Sequence, residues 1–485
     1  MSAAARARRA AGDRRPELLL VGLLALVGVL LWALVPTYPN YDAYYHLVWG
    51  RELLDGQAPT FEAYAAPTEH PLYLGVAALL TLLGPDADRA LVLLTVLCHV
   101  AFTWGVYRLG AAVWDRRAGL AAALLAGSSF ALLLYAARGY VDEPFLALVL
   151  WAAALESERS VRTEGAGRGR GGEKRVWALL IAAGLLRPEG WLLAGLYWLW
   201  TGPRLRTAPL VALAPAVWCL VDGLVTGDPL FSLHSTSELA DELGRRRSLS
   251  EVPGAFARFL ADTAREPVAA LGVLGALLAW RRREGRAAHV PLALFLAGTA
   301  TFFATSAAGL SVLPRYLTVP AVALCLPAGW LVTRDRRVLA LAVAAGLAFV
   351  VVRADVFDRL ATELRFIRHT HEDLVAVLDT RQVADGRRCG PVTLPNYRLV
   401  PDTRWILDAS QSEVGARSAR ERRHGVALFY VGEKLMRRYG FADGASPRTN
   451  APSEGFVRAV RVGGFTAYVS CSTGPSNSSI SRARQ

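Results

Sequence analysis

Long apolar runs, each bounded by short arginine-rich segments, constrain this chain more than any other feature of its sequence. A helix needs about 20 apolar residues to cross the hydrocarbon core of a bilayer. Apolar residues make up 53% of the 485, and the formal charge of +13 is spread over short loops between the runs. Basic residues in such loops stay in the cytoplasm, and their dispersal argues against a nucleic acid partner. The sequence therefore predicts an α-helical polytopic membrane protein.

The direction of each crossing is predicted from the basic residues that flank it. Five arginines precede the run at 18–35 and no small-residue cleavage site follows it, so we expect an uncleaved first span with a cytoplasmic N-terminus. The run at 72–83 is too short to span and is expected to lie at the outer interface. The short runs at 176–186 and 191–200 have basic residues on both sides, which predicts a hairpin. About 11 crossings result, and the last ends at residue 352.

Composition divides the chain into three parts: a transmembrane domain at 1–352, a small domain at 353–471 and a disordered tail at 472–485. Helical periodicity at 356–378 and strand-like runs such as 426–431 predict an α/β fold for the small domain. The direction of the last crossing places this domain outside the cytoplasm. The tail is rich in serine and arginine and lacks the apolar residues of a core.

The cysteines fall into two groups. Cys98, Cys219 and Cys325 lie in apolar runs and are expected to be plain buried residues. Cys389 and Cys471 lie in the small domain. Because an extracytoplasmic domain is exposed to oxidation, we predict a disulfide between these two.

Acidic residues lie just beyond the ends of two predicted spans, and both groups emerge on the outer face. Asp42 follows the first run, and Asp142 and Glu143 lie in the break between two later runs. Ionisable groups are costly at a membrane boundary, so their collection on one face predicts a functional site. The polar residues collected there are Asp42, His46, Glu69, His70, Arg138, Asp142, Glu143, Arg187, Glu189, Asp228, His234, Arg315 and Tyr316.

The order of these residues resembles that of polytopic GT-C class glycosyltransferases, similar to bacterial protein O-mannosyltransferases and aminoarabinose transferases. The shared marks are the aspartate of the first outer loop, the acidic pair of the second, Arg-Pro-Glu-Gly at 187–190, Gly-Asp-Pro-Leu-Phe at 227–231 and Arg-Tyr-Leu at 315–317. The resemblance covers about residues 15–352. It implies a plasma-membrane enzyme that moves a sugar from a polyprenyl-phosphate donor to an extracytoplasmic lipid, polysaccharide or protein.

The implied reaction needs a base for the acceptor hydroxyl and fixed cations for the departing phosphate. By resemblance the base is Asp42, with Asp142 and Glu143 as further catalytic acids. Arginine suits bidentate phosphate contact, so Arg315 is the first candidate cation. The other candidates for substrate or lipid-phosphate binding are Arg138, Arg187, Glu189, Tyr316, His46 and His70.

Structural alternatives to these roles stay open. Asp42 could cap the helix that begins near residue 43, and the acidic pair at 142–143 could stabilise a helix N-terminus. Arg187 could form a salt bridge with Glu189, and Arg315 could extend to the membrane interface. His46 lies four residues after Asp42, which leaves a divalent cation open, although no cofactor is certain.

Two other classes of function also stay open. A transporter or a flippase for lipid-linked sugars would place charges near the middle of the membrane, and an envelope scaffold would need no acidic cluster at all. The acids here lie at helix ends in outer loops, and no internal repeat is evident. This placement favours the transferase.

Overall fold

The computed structural model describes residues 15–163, 173–242, 244, 249–281, 289–352, 354–440 and 450–471. The predicted tail at 472–485 lies outside these ranges. The chain divides into two compact units. The first comprises Met1–Phe61 and Pro67–Arg365, and the second comprises Glu62–Ala66 and Phe366–Gln485.

The first unit is helical. Its helices are α1 (Arg15–Leu34), α2 (Tyr41–Leu54), α3 (Pro71–Thr81), α4 (Ala87–Val113), α5 (Arg116–Gly127), α6 (Phe130–Ala137), α7 (Asp142–Thr163), α8 (Glu173–Gly184), α9 (Glu189–Thr201), α10 (Ala208–Thr226), α11 (Phe231–Glu242), α12 (Val252–Ala264), α13 (Glu266–Arg281), α14 (His289–Ala307), α15 (Thr318–Thr333) and α16 (Arg336–Val352). The short helix α3 and the break between α8 and α9 agree with the sequence prediction.

Within the described ranges, five helical stretches are long and apolar enough to cross a membrane: Arg15–Leu34, Gly84–Val113, Leu205–Thr226, His289–Ala307 and Pro314–Thr333. The pair α5 and α6 adds a sixth if it counts as one broken span. Helix α1 buries none of its residues, as expected of an apolar helix that faces lipid. The predicted class, an α-helical membrane protein with a small sheet domain, is confirmed.

The apolar run at 120–135 does not form one straight helix. It bends by 64° between α5 and α6, at Gly127 and the two serines after it, a combination that often kinks helices. Backbone groups at membrane depth must be satisfied within the protein. Here His99 Nε2 lies 3.0 Å from the carbonyl oxygen of Gly127, and the Arg265 guanidinium donates to the carbonyl oxygen of Leu125. Polar side chains thus stabilise the break.

Helix α15 forms the core of the first unit. Almost all of its residues are buried, and it packs against α5 and α13. The approach to α13 is so close that a Cβ on Gly272 would lie 2.6 Å from the carbonyl oxygen of Leu324. The residues just before α15, which form a short turn at Pro314–Leu317, are therefore held on a fixed helix.

The segment at 225–266, which the direction of its flanking apolar runs predicts as a large outer loop, is not irregular. It contains α11 and α12, which are separated by a short segment. Helix α12 carries apolar residues such as Phe256 that pack on Phe302 of α14. The loop is therefore a packed part of the first unit.

The second unit carries a five-stranded sheet whose strand order is β2-β1-β3-β5-β4. The strands are β1 (Val392–Leu394), β2 (Val414–Ala416), β3 (Gly425–Tyr430), β4 (Val457–Val462) and β5 (Phe465–Ser470). Strands β2, β1 and β3 are parallel, whereas β3, β5 and β4 are antiparallel. Helix α17 (Ala354–Leu378) begins in the first unit and continues into the second, whose other helices are α18 (Arg381–Arg387), α19 (Val400–Ile406) and α20 (Glu433–Leu435). The predicted α/β character is confirmed, and strand β3 matches the predicted run at 426–431.

The predicted disulfide is present. Cys389 follows α18 and Cys471 follows β5, and the bond joins them across a Cα–Cα distance of 5.0 Å. The bond closes a loop that includes the whole sheet, because its two ends are 82 residues apart in the sequence. Constraining a loop of that length disfavours the unfolded state of this unit.

Candidate active site

Asp42 lies in the first turn of α2 but does not cap that helix. The cap is Asn40, whose Oδ1 accepts from the amides of Asp42 and Ala43 at 2.8 and 3.2 Å. The capping alternative for Asp42 is therefore wrong, because Asn40 already satisfies the free amides. The Asp42 carboxylate is left to point elsewhere.

That carboxylate faces Arg315, which lies 273 residues later in the chain. Arg315 Nη1 donates to Asp42 Oδ2 at 2.8 Å, and each side chain is 24% exposed. Arg315 thus has a carboxylate partner within the protein. The structure thus joins the predicted base to the first predicted phosphate ligand.

A second arginine lies beside this pair and is held by two acids. The Arg187 guanidinium donates to Asp142 Oδ1 and to Glu189 Oε1, the latter from Nε at 3.1 Å. The side chains of Arg187, Asp142 and Glu189 are 5%, 0% and 9% exposed. The proposed salt bridge to Glu189 is present, and Asp142 extends it into a buried triad.

Tyr316 connects the two arginines. The Arg187 guanidinium carbon lies 5.2 Å from the centre of the Tyr316 ring, and that of Arg315 lies 5.9 Å from it. Both distances suit cation–π contact. The structure therefore gathers six predicted residues into one group, which we call the arginine cluster: Asp42, Asp142, Arg187, Glu189, Arg315 and Tyr316.

Glu143 points away from the arginine cluster. Its Oε2 lies 3.0 Å from His99 Nδ1, and the other nitrogen of His99 faces the carbonyl oxygen of Gly127 at the α5–α6 break. Glu143 is fully buried in this contact. It connects the start of α7 to the bent span and does not approach either arginine of the cluster.

His46 is held by the backbone at both ring nitrogens. Its Nδ1 lies 2.7 Å from the carbonyl oxygen of Asp42 and must donate, whereas its Nε2 accepts from the His70 amide at 3.1 Å. Burial lowers the pKa of His46 to about 4, so the ring is neutral. Neither nitrogen is left for a cation. Within the described ranges, no group of three His, Cys, Asp or Glu side chains could hold a metal.

His70 stacks on His46, with ring centres 5.3 Å apart. Burial, the His46 ring and the charges of Arg315 and Arg187 hold the pKa of His70 well below its usual range. Its Nδ1 is buried and has no hydrogen-bond partner among the described residues. A neutral histidine of this kind can accept one hydrogen bond.

Arg138 stabilises the loop before α2. Its guanidinium donates to the carbonyl oxygen of Pro39 at 2.9 Å, and its own carbonyl oxygen accepts from the Asn40 amide and from Asn40 Nδ2. The next carbonyl, that of Gly139, accepts from the Tyr73 hydroxyl at 2.7 Å. Arg138 thus fixes the cap of α2 and is not brought to Arg187 or Arg315.

An acidic pair that the sequence did not assign lies beside His70. Ser232 Oγ contacts Glu69 Oε2 and lies 3.0 Å from Asp222 Oδ1, and the Ser232 amide donates to Asp222 Oδ2. One hydroxyl proton cannot serve two ionised carboxylates, so one carboxyl group must keep its proton. Burial and the nearby Asp222 raise the pKa of Glu69 to about 9. Asp222 was not predicted as a site residue because it lies within an apolar helix.

Solved structures resemble most of the chain, although no protein-family model and no curated protein sequence matches it. ArnT from Cupriavidus metallidurans bound to undecaprenyl phosphate superposes with a TM-score of 0.58 at 13% identity, covering 94% of this chain and 99% of ArnT. Apo ArnT from the same organism gives a TM-score of 0.52 at 15% identity, covering 93% of this chain and 98% of ArnT. The oligosaccharyltransferase of Archaeoglobus fulgidus, tethered to an acceptor peptide, gives 0.51 at 12% identity, covering 83% of this chain and 64% of that protein.

The chain has the GT-C fold. The resemblance drawn from the sequence is confirmed at the level of fold, and it extends into the small domain because ArnT covers almost the whole chain. In this GT-C fold the arginine cluster draws on four separate places: the start of α2, the start of α7, the α8–α9 break and the turn before α15. Sequence identity this low establishes the fold but not the substrate.

The Glu69 carboxyl gives the free energy of unfolding of this protein a pH dependence of known sign. The folded state keeps the proton that the unfolded state releases near the ordinary value of 4.5, so the free energy of unfolding should fall as pH rises from about 4.5 to about 9. Glu69→Gln should remove this part of the fall. Thermal unfolding of the purified protein at pH 6 and pH 8.5 measures it, with the exposed Glu242→Gln as the control. If the unfolding temperature fell equally between these two pH values in wild type and in Glu69→Gln, the raised pKa of Glu69 would be contradicted.

Proposed function

We propose that this protein transfers a sugar, a hexose or a pentose, from a polyprenyl-phosphate carrier to a hydroxyl group outside the cytoplasm. The observation that carries the proposal is the contact between Asp42 Oδ2 and Arg315 Nη1 at 2.8 Å, partly exposed and beside the buried Arg187. It sets a carboxylate next to two guanidinium groups. The fold supports a lipid-linked donor, since ArnT of the same fold binds undecaprenyl phosphate.

Each step of the proposed reaction uses groups of the cluster. Asp42 accepts the proton of the acceptor hydroxyl as that oxygen forms a bond to the anomeric carbon of the sugar. The bond between the anomeric carbon and the phosphate oxygen breaks, and its electron pair leaves with the phosphate. Arg315 and Arg187 stabilise the charge that develops there, and the guanidinium of Arg315 can contact two phosphate oxygens at once.

The remaining predicted residues position these groups. Asp142 and Glu189 hold the Arg187 guanidinium, and both Arg187 and Arg315 lie near the Tyr316 ring. A cation held in this way needs no reorganisation when charge develops. His46 and Arg138 position the backbone around the start of α2, and Glu143 positions the start of α7. His70 offers its free Nδ1 to a hydroxyl of the sugar.

We propose that the cluster faces outward in the plasma membrane, with a cytoplasmic N-terminus, about 11 crossings and residues 353–471 outside. The disulfide between Cys389 and Cys471 supports an oxidising location for the small domain. Reporter fusions after Arg117, Arg206 and Arg337 should report cytoplasm. Fusions after Thr68 and Ala384 should report the outside. A cytoplasmic signal after Ala384 would contradict this orientation.

Deletion of the gene in the native host tests the activity. The strain should accumulate a polyprenyl-phosphate sugar and lose that sugar from an envelope lipid, polysaccharide or protein, as mass spectrometry of lipid and glycan fractions would measure. Wild-type protein should restore the sugar and Asp42→Asn should not. Unchanged lipid-linked sugars and glycans in the deletion strain would contradict a transferase.

A further inference from the structure

The two arginines of the cluster differ in how firmly the protein holds them. Arg187 is 5% exposed and binds two acids that are themselves almost fully buried. Arg315 is 24% exposed, and among the described acids its salt-bridge partner is Asp42, equally exposed. Breaking a buried ion pair is costly, whereas a partly exposed pair exchanges partners cheaply. Arg315 is therefore the arginine that can change its partner.

The charge balance of the cluster favours such a change. Three carboxylates, on Asp42, Asp142 and Glu189, face the two guanidinium groups of Arg187 and Arg315. Arg138, whose guanidinium is held by the Pro39 carbonyl oxygen, adds one further positive charge nearby. The histidines His46 and His70 add none, because burial lowers the pKa of both. The group therefore has no surplus of positive charge, and an anionic phosphate binds best by taking a cation from one of the carboxylates.

We propose that the carrier phosphate displaces Asp42 from Arg315, so that donor binding releases the base. The inference rests on the proposed function and adds its regulation. Before donor binding, Oδ2 of Asp42 is occupied by Arg315 Nη1 and is not available to a substrate hydroxyl. When Arg315 turns to the phosphate, that oxygen becomes free to accept a proton. The donor therefore binds first, and the acceptor is deprotonated only when a sugar is present to receive it.

Equilibrium binding of undecaprenyl phosphate to the full-length protein in detergent tests this exchange, because binding needs no turnover. Asp42→Asn removes the competing charge and should tighten the dissociation constant about fivefold. Arg315→Gln should weaken it about tenfold or more, since a charge-assisted contact is lost. The double variant should bind like Arg315→Gln, because Asp42 acts on the phosphate through Arg315.

Asp262→Asn is the matched control. Asp262 lies on α12, is exposed and is not one of the predicted site residues. Its replacement should leave the affinity unchanged. Equal tightening by Asp262→Asn and Asp42→Asn would mean that any lost negative charge has this effect, and it would overturn the exchange. Unchanged or weaker binding by Asp42→Asn would overturn it too. Wild-type protein that does not bind undecaprenyl phosphate would instead overturn the proposed function.

Discussion

Asp42→Asn should lower the rate of sugar transfer by about 10²- to 10⁴-fold, the usual cost of removing a general base. Asparagine has the size of aspartate but cannot take a proton. The substitution should leave α2 intact, because the cap of that helix is Asn40 and not Asp42. Transfer from a polyprenyl-phosphate sugar by the purified variant measures the loss, and unfolding temperature shows that the variant is folded.

Asp115→Asn controls for the effect of replacing any aspartate at a helix start. Asp115 caps α5 through hydrogen bonds to the amides of Arg117 and Ala118, and asparagine caps equally well. This variant should keep wild-type activity. If Asp42→Asn also retained most of its activity, Asp42 would not be the base, and Asp142 would be the next carboxylate to test.

The sequence predicts Asp42 and Arg315 on one membrane face although 273 residues separate them, but it does not predict their direct contact. The prediction comes from the apolar runs and arginine-rich loops, which indicate the direction of each crossing. The same reasoning anticipated the short helix α3, the α8–α9 break and the disulfide. These features depend on hydropathy, charge and local sequence. All three are evident without knowledge of which helices pack together.

Contacts between helices could not be anticipated in this way. His99 and Asp222 lie inside apolar helices, and nothing local shows that one faces Glu143 and the other Glu69. The bend between α5 and α6 also depends on partners, since His99 bonds a carbonyl that the bend frees. The assignment of Glu62–Ala66 to the second unit is likewise a property of the packed chain.

Two neighbouring acids separate for a simple geometric reason. Asp142 and Glu143 are the first residues of α7, and successive side chains on a helix point about 100° apart. They cannot face one site together. Asp142 turns to Arg187 and Glu143 to His99. The sequence could assign the pair to the site, but only packing decides which of the two reaches the cluster.

Arg187→Ala should destabilise the protein by about 3–5 kcal/mol, because it leaves Asp142 and Glu189 buried without their cation. The exposed Arg359, which pairs with Asp355 on one helix face, is the control. Arg359→Ala should change stability little. Thermal unfolding in detergent compares the two, and equal effects would show that the triad does not depend on the charge of Arg187.

A triple variant separates the stability of Arg187 from its role in catalysis. Arg187→Met together with Asp142→Leu and Glu189→Met removes all three charges at once, and replacing a buried ion group by packed apolar side chains of similar volume is often neutral for stability. We expect the unfolding temperature to return toward that of the wild type. Transfer activity should not return, because the cation that stabilises the departing phosphate is gone. Recovery of both would assign Arg187 a structural role alone and leave Arg315 as the phosphate ligand.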